Sequence, residues 1–249
     1  GGGYGRLIPT YTKKGRNIVI VDYAPNLLEM AAKTYAGRDD VHLIAANAYH
    51  LPFKESVFSV GISIRTFHHM NAPEKFLGEL SRVMRPQSHA LVEYSNKRNL
   101  MRVLKKWSKS IQVDHEEYGD LLYGTHPRYF SEIAGRVGLE VVWNSGTGFL
   151  PRFLTDKTLS LKPLFTVTET LLDILYGPLG LAPMNFSDLK KTRVWSAKDM
   201  PPGATLLDIL ACPICKQGLT DHEPHMACSS CGKQFEKKGK IIDFRHVEK

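Results

Sequence analysis

Four cysteines carry the plainest chemistry in this 249-residue chain. Cys212-Pro213-Ile214-Cys215 and Cys228-Ser229-Ser230-Cys231 form two C-x-x-C knuckles separated by a short loop. Each knuckle sets two thiolates on one tight turn, and four soft ligands complete a tetrahedron around Zn²⁺. Four thiolates leave no open coordination position, so the metal has a structural role. His222 and His225, in the intervening loop, then read as surface residues, and disulfide pairing is the competing use of the cysteines. A second group lies near the other end of the chain. Gly1, Gly3 and Gly5 alternate, and Ile18-Val19-Ile20-Val21-Asp22 follows. Glycine lets backbone approach a ligand closely. A strand ending in an acid about twenty residues later puts that carboxylate beside a ribose. The expected ligand is a nucleoside cofactor. Arg65, His68 and His69 follow a later apolar run, where an acceptor should lie. His68 is the candidate general base, because imidazole titrates near neutrality. The plainer role for both histidines is to cap a helix or bond to backbone.

Strands and helices alternate around these groups. Arg6 to Lys14 reads as a first helix, with Leu7, Ile8 and Tyr11 facing a sheet. A second helix starts at Pro25 and carries Leu27, Leu28, Ala31 and Tyr35 at helical spacing. Strands are expected at residues 41–45, 57–64, 89–94, 139–143 and 185–195, with helices at 73–84 and 129–137. The apolar content of 57–64 suits a strand covered on both faces. The alternation predicts an α/β, Rossmann-like, doubly wound and mostly parallel sheet. Its first strand should precede Gly1, so the chain reads as N-terminally truncated. Asn96 to Ile111 predicts a basic amphipathic helix. Leu100, Val103, Leu104, Trp107 and Ile111 form its stripe, and Lys97, Arg98, Arg102, Lys105, Lys106 and Lys109 surround it. That pattern occurs at membrane surfaces and on nucleic acids, and also on core-packed helices with a solvated basic face. Asp114, Glu116, Glu117 and Asp120 either pair with this helix or form a loop. Residues 149–184 read as an apolar insertion, and residues 196–205, with Pro201-Pro202-Gly203, as a linker. The expected domains are therefore 1–195 and 206–249.

The G-x-G-x-G spacing differs from the dinucleotide fingerprint G-x-G-x-x-G, whose third small position is here Arg6. It resembles the first motif of class I S-adenosylmethionine (SAM) methyltransferases of type 11. Further segments resemble that family in order: Asp22-Tyr23-Ala24-Pro25-Asn26-Leu27-Leu28-Glu29-Met30-Ala31, Ala46-Asn47-Ala48-Tyr49-His50-Leu51-Pro52-Phe53, Phe58-Ser59-Val60, and Leu80-Ser81-Arg82-Val83-Met84-Arg85-Pro86. The resemblance implies Gly1, Gly3 and Gly5 at the methionine end of SAM and Asp22 on the ribose. It implies Tyr23 against the purine, Asn47 and Ala48 at the adenine, and Arg65 among the cofactor-binding residues. It also implies an antiparallel last strand. Asn47 and Ser59 stand where the family usually has Asp, although an amide oxygen can still accept a hydrogen bond. Leu206 to Cys215 and Gly239 to Phe244 resemble the small zinc-ribbon proteins that activate methyltransferases.

A net charge of +8 favours anionic partners such as RNA or a lipid surface. No apolar run is long enough to span a bilayer, and no signal peptide is visible, so a cytoplasmic protein with structural zinc is expected. The leading function is methyl transfer from SAM to a small or lipophilic acceptor, with peripheral membrane contact as one route to it. RNA methylation, with the ribbon binding substrate, is the alternative. A non-catalytic SAM-binding scaffold is the third. Neither N-P-P-Y nor D-P-P-Y occurs, which disfavours the amino-group methylases that carry that tetrapeptide.

Overall fold

The computed structural model describes residues 1–11, 17–105, 111–119, 121–148, 167–168, 170–172, 174, 179–192 and 204–245. The chain forms two compact units: Gly1–Ser59 with Arg82–Arg85 and Trp195–Lys249, and Val60–Ser81 with Pro86–Val194.

In the first unit, β1 (Ile18–Asp22) and β2 (Val41–Ala45) pair in parallel, from Ile18 opposite Val41 to Asp22 opposite Ala45. The two faces of this pair are covered differently. Ile18 and Ile20 pack with Leu28 and Ala31 of α2 (Pro25–Thr34) and with Ile8 of α1 (Ile8–Tyr11). Within the described residues the predicted first helix is present as α1, and its remaining residues, from 12 on, lie outside the described part. Val19 and Val21 turn toward a second core. There Ile44, Phe53 and Val57 pack with Cys212, Met226, Phe235 and Phe244. The cysteine module and the β1–β2 layer therefore share one hydrophobic core. The module comprises β9 (Leu219–His222), β10 (His225–Cys228), β11 (Gln234–Lys238) and β12 (Ile241–Asp243), consecutively antiparallel. Then β12 turns parallel to β2, with Ile241 opposite Leu43 and Asp243 opposite Ala45, giving one six-stranded sheet in the order β1-β2-β12-β11-β10-β9.

In the second sheet the order is β3-β4-β8-β7, built from β3 (Phe58–Ser63), β4 (Met84–Ser95), β7 (Leu139–Thr147) and β8 (Met184–Lys191). Strand β8 runs antiparallel to both β4 and β7. Of its four buried positions only Leu189 is apolar: Asn185 donates to the Tyr94 hydroxyl at 3.1 Å and Ser187 donates to Asn144 at 2.8 Å. Strand β3 was expected to be covered on both faces. It is an edge strand here, and Val60 and Ile62 are 62% and 41% exposed. Helix α3 spans Pro73–Val83, and α5 spans Pro127–Arg136, burying Phe130, Ile133 and Ala134.

The basic helix begins later than its sequence pattern, and residues 106–110 lie outside the described residues. It is α4 (Leu100–Lys105), and none of its residues is buried. It starts late because Asn99 accepts the Arg102 N–H at 3.1 Å, as a helix cap does, while Asn96 ties its amide to the Gly180 and Ala182 carbonyls. Trp107 and Asp120 lie outside the described residues. Two of the acids, Asp114 and Glu116, pair with the basic segment, while Glu117 accepts from the Tyr123 hydroxyl at 3.1 Å. Buried Lys97 bonds Asp114 and Glu116, and Arg102 reaches Glu116. These acids sit on or beside the hairpin of β5 (His115–Glu117) and β6 (Tyr123–Thr125). Most of the apolar insertion, and the linker as far as residue 203, lie outside the described residues. No helix among the described residues is long and apolar enough to cross a membrane.

Candidate functional site

The glycine loop and the acid meet at the carboxyl end of β1. Gly2 donates to the Val21 carbonyl at 2.8 Å, so the loop runs back along the strand. Gly3 then donates to Asp22 Oδ2 at 2.7 Å, and Ala24 donates to Asp22 Oδ1 at 2.9 Å. Each carboxylate oxygen holds one backbone N–H in these bonds and retains acceptor capacity. The carboxylate is thereby oriented before any ligand arrives. Gly3 has φ +54, and a Cβ there would meet nothing within 4 Å, so it is the backbone conformation that favours glycine, over open space. Gly5 is different. Its φ is also positive, at +76, and in addition a Cβ there would lie 2.8 Å from both Ile20 and Tyr35 side-chain atoms, so conformation and packing both require glycine. Gly1 is exposed at the start of the same loop.

Strand β2 ends in register with β1, and the Ala46 N–H donates to the Asp22 carbonyl at 3.0 Å. Asn47 and Ala48 follow directly. Asn47 Oδ1 accepts the Tyr49 N–H at 2.9 Å, an Asx turn that gives the amide a local role as well as a candidate ligand-binding one. Tyr23, next to the acid, is 61% exposed. The first unit thus brings together Gly1, Gly3, Gly5, Asp22, Tyr23, Asn47 and Ala48.

Arg65, His68 and His69 belong to the other unit. Arg65 has φ +56, an uncommon conformation for a side-chain-bearing residue, and its N–H donates to Glu93 Oε2 at 3.0 Å. Glu93 is 4% exposed on β4, and it holds this turn in place. His68 and His69 form one short 3₁₀ turn with Phe67, their rings 4.2 Å apart. His68 Nδ1 is buried without a hydrogen-bond partner among the described residues. Burial, and then the neighbouring His69, hold its pKa below the ordinary histidine range, which keeps the imidazole neutral near pH 7. His126 is a cap: its ring accepts the Arg128 N–H at 3.2 Å at the start of α5.

The four cysteine sulfurs lie within 4.8 Å of one another, with Cys212 and Cys231 at 3.8 Å and Cys215 and Cys228 at 3.4 Å. A tetrahedral zinc site, with Zn–S near 2.3 Å, sets sulfurs about 3.8 Å apart. The cysteines are unpaired thiols, and their spacing fits the metal. Burial pushes the Cys212 thiol up to about 12. Burial acts upward on Cys228 too, but backbone N–H groups of Cys231 and Ser230 and the neighbouring sulfurs bring it down to about 7. His222 and His225 pair across β9 and β10, outside the sulfur cluster.

Residues 1–92 match a family described as a methyltransferase domain. A demethylmenaquinone methyltransferase of Clavibacter sepedonicus is 28% identical over 90 residues, 36% of this chain and 37% of that one. The chain therefore matches little more than a third of that relative's length. Among solved structures, the [4+2]-cyclase SpnF aligns with TM-score 0.55 at 15% identity, over 77% of this chain and 73% of that one. A SAM-dependent methyltransferase of Thermotoga maritima aligns with TM-score 0.52 at 16% identity, over 78% and 79%. A complex between the Haloferax volcanii Trm112 methyltransferase activator and a methyltransferase gives TM-score 0.52 at 16% identity, over 79% and 82%. The chain is similar to a methyltransferase domain over its first 92 residues, on a Rossmann-like α/β fold shared with these structures.

Proposed function

We propose that the chain is a SAM-dependent methyltransferase acting on a small or lipophilic acceptor. The observation that carries this is the Gly3–Asp22 bond, which joins the glycine loop to the acid at the mouth of parallel strands. SAM, when bound, supplies an electrophilic methyl group on a sulfonium whose departure leaves a neutral thioether. The chain's own residues hold it: the loop from Gly1 to Gly5 approaches its amino-acid end, Asp22 accepts from the ribose hydroxyls, and Asn47 and Ala48 border the adenine. His68, neutral near pH 7, is the group able to take a proton from an acceptor. The likeness to a demethylmenaquinone methyltransferase supports a lipophilic acceptor, as does the exposed apolar surface of Met101 and Leu104 on basic α4, which suits peripheral contact with a lipid surface. The four cysteines hold structural Zn²⁺.

RNA as the acceptor is the second reading, supported by the net charge of +8 and the likeness to the Trm112-bound complex. A scaffold without transfer is the third. A fold shared with a [4+2]-cyclase supports keeping it, because fold does not fix chemistry. The test is to supply methyl-labelled SAM with lipid extract and with RNA in separate reactions. Label in the lipid fraction is expected. Label in RNA alone selects the second reading, and bound SAM with no label transferred selects the third.

A further inference from the structure

Cofactor-site residues are expected from the glycine loop and the ends of β1 and β2, yet the sheet's parallel layer contains a third strand. Asp22 lies opposite Ala45, and Ala45 lies opposite Asp243, so β1, β2 and β12 end in one row. The Phe244 N–H donates to the Ala45 carbonyl at 2.7 Å, which carries the alignment one residue past the strand. The next residue is Arg245. Its guanidinium stands 5.8 Å from the centre of the Tyr23 ring, within cation–π range. Its orientation is fixed from behind. Asp243 is 8% exposed, and its two oxygens accept from Arg245 Nε at 2.9 Å and Nη2 at 2.6 Å, the two-pronged geometry particular to arginine.

We propose that Arg245 is a positioning residue of the cofactor site: anchored by Asp243, it holds the Tyr23 ring against a bound adenosine. Tyr23 is otherwise a largely exposed aromatic, and exposed side chains lose rotamer freedom when a ligand orders them. A cation already set against one part of the ring lowers that loss. The cysteine module thus contributes a side chain to nucleoside binding, in addition to its share of the core. This inference rests on the reading that SAM binds at the ends of β1 and β2.

The experiment is isothermal titration of the full chain with S-adenosylhomocysteine. Arg245→Met keeps the aliphatic stem and removes the cation. It should weaken binding about threefold to thirtyfold, the range expected for a cation–π contact. Bound zinc should stay at the parent value; the melting temperature should fall because buried Asp243 loses that partner, so binding is read well below the lowered transition. Arg245→Lys keeps the charge but loses the two-pronged anchor and should recover only part of the affinity, and in a Tyr23→Leu background Arg245→Met should have no further effect. Parent-like affinity of Arg245→Met, or an undiminished loss in the Tyr23→Leu background, would overturn the role of Arg245 while leaving the cofactor reading in place. No binding by the parent chain would remove the cofactor reading itself, and the role of Arg245 with it.

Discussion

Asp22 concentrates the argument at the level of single residues. Its carboxylate organises the loop through Gly3 and Ala24 and is proposed to bind the ribose as well. Asp22→Ala should weaken S-adenosylhomocysteine binding by about 1.5–3 kcal/mol, the range for hydrogen bonds to a charged group, and calorimetry reads this directly. An affinity within error of the parent would remove Asp22 from the site. The acid was legible in the sequence because a strand ending in Asp after a glycine loop has a fixed geometric meaning. Glu93 falls within the strand expected at 89–94, and nothing in its type sets it apart there. What makes it matter is the left-handed turn at Arg65, and a backbone conformation of that kind leaves no mark on residue type. Arg245 was invisible for a different reason. Its neighbour Tyr23 is remote in sequence and is reached only because β12 crosses to β2.

Among the elements, β12 decides most. It closes the module's own sheet on one side and covers β2 on the other. Removing zinc with a chelator should release both. The amides of β2 and β12 should then exchange with deuterium faster, and those of β7 and β8, in the other unit, should change much less. Equal exchange throughout, with and without metal, would contradict the shared core. Phe244 is fully buried in that core, and Phe244→Ala should lower the unfolding free energy by about 3–5 kcal/mol in denaturant titration. At the start of the module, Thr205 forms a reciprocal capping box with Asp208 ahead of α6 (Leu206–Ile209). Thr205→Ala should cost about 1 kcal/mol in the same measurement. The two C-x-x-C knuckles announced the module, and hydrophobic runs located β1 and β2. The pairing of β12 with β2 could not be read, because a three-residue strand such as Ile241-Ile242-Asp243 carries no address for its partner.

For the molecule as a whole, proton linkage gives a single direction. His42, His68, His115 and His126 all have pKa values lowered, with burial the largest cause in each. Their stabilising contribution is complete above the unfolded value, about 6.5, and is lost as pH falls through the lowered folded values. Asp40, Glu116 and Asp208 are lowered by hydrogen bonds from Arg38, Lys97 and Thr205, and act in the same sense at lower pH. The melting temperature should therefore fall between pH 7 and pH 5, and a flat or rising profile in differential scanning calorimetry would refute this. The sheet also sets a timetable. Lys240 reaches the Ala36 carbonyl across 204 residues of chain, beside the β12–β2 pairing. During synthesis, β2 emerges early and waits with an open hydrogen-bonding edge until the ribosome has delivered the module. A product ending anywhere before β12 would leave that edge unpaired and prone to join another chain, which a sedimentation assay of such a truncation would read as aggregation.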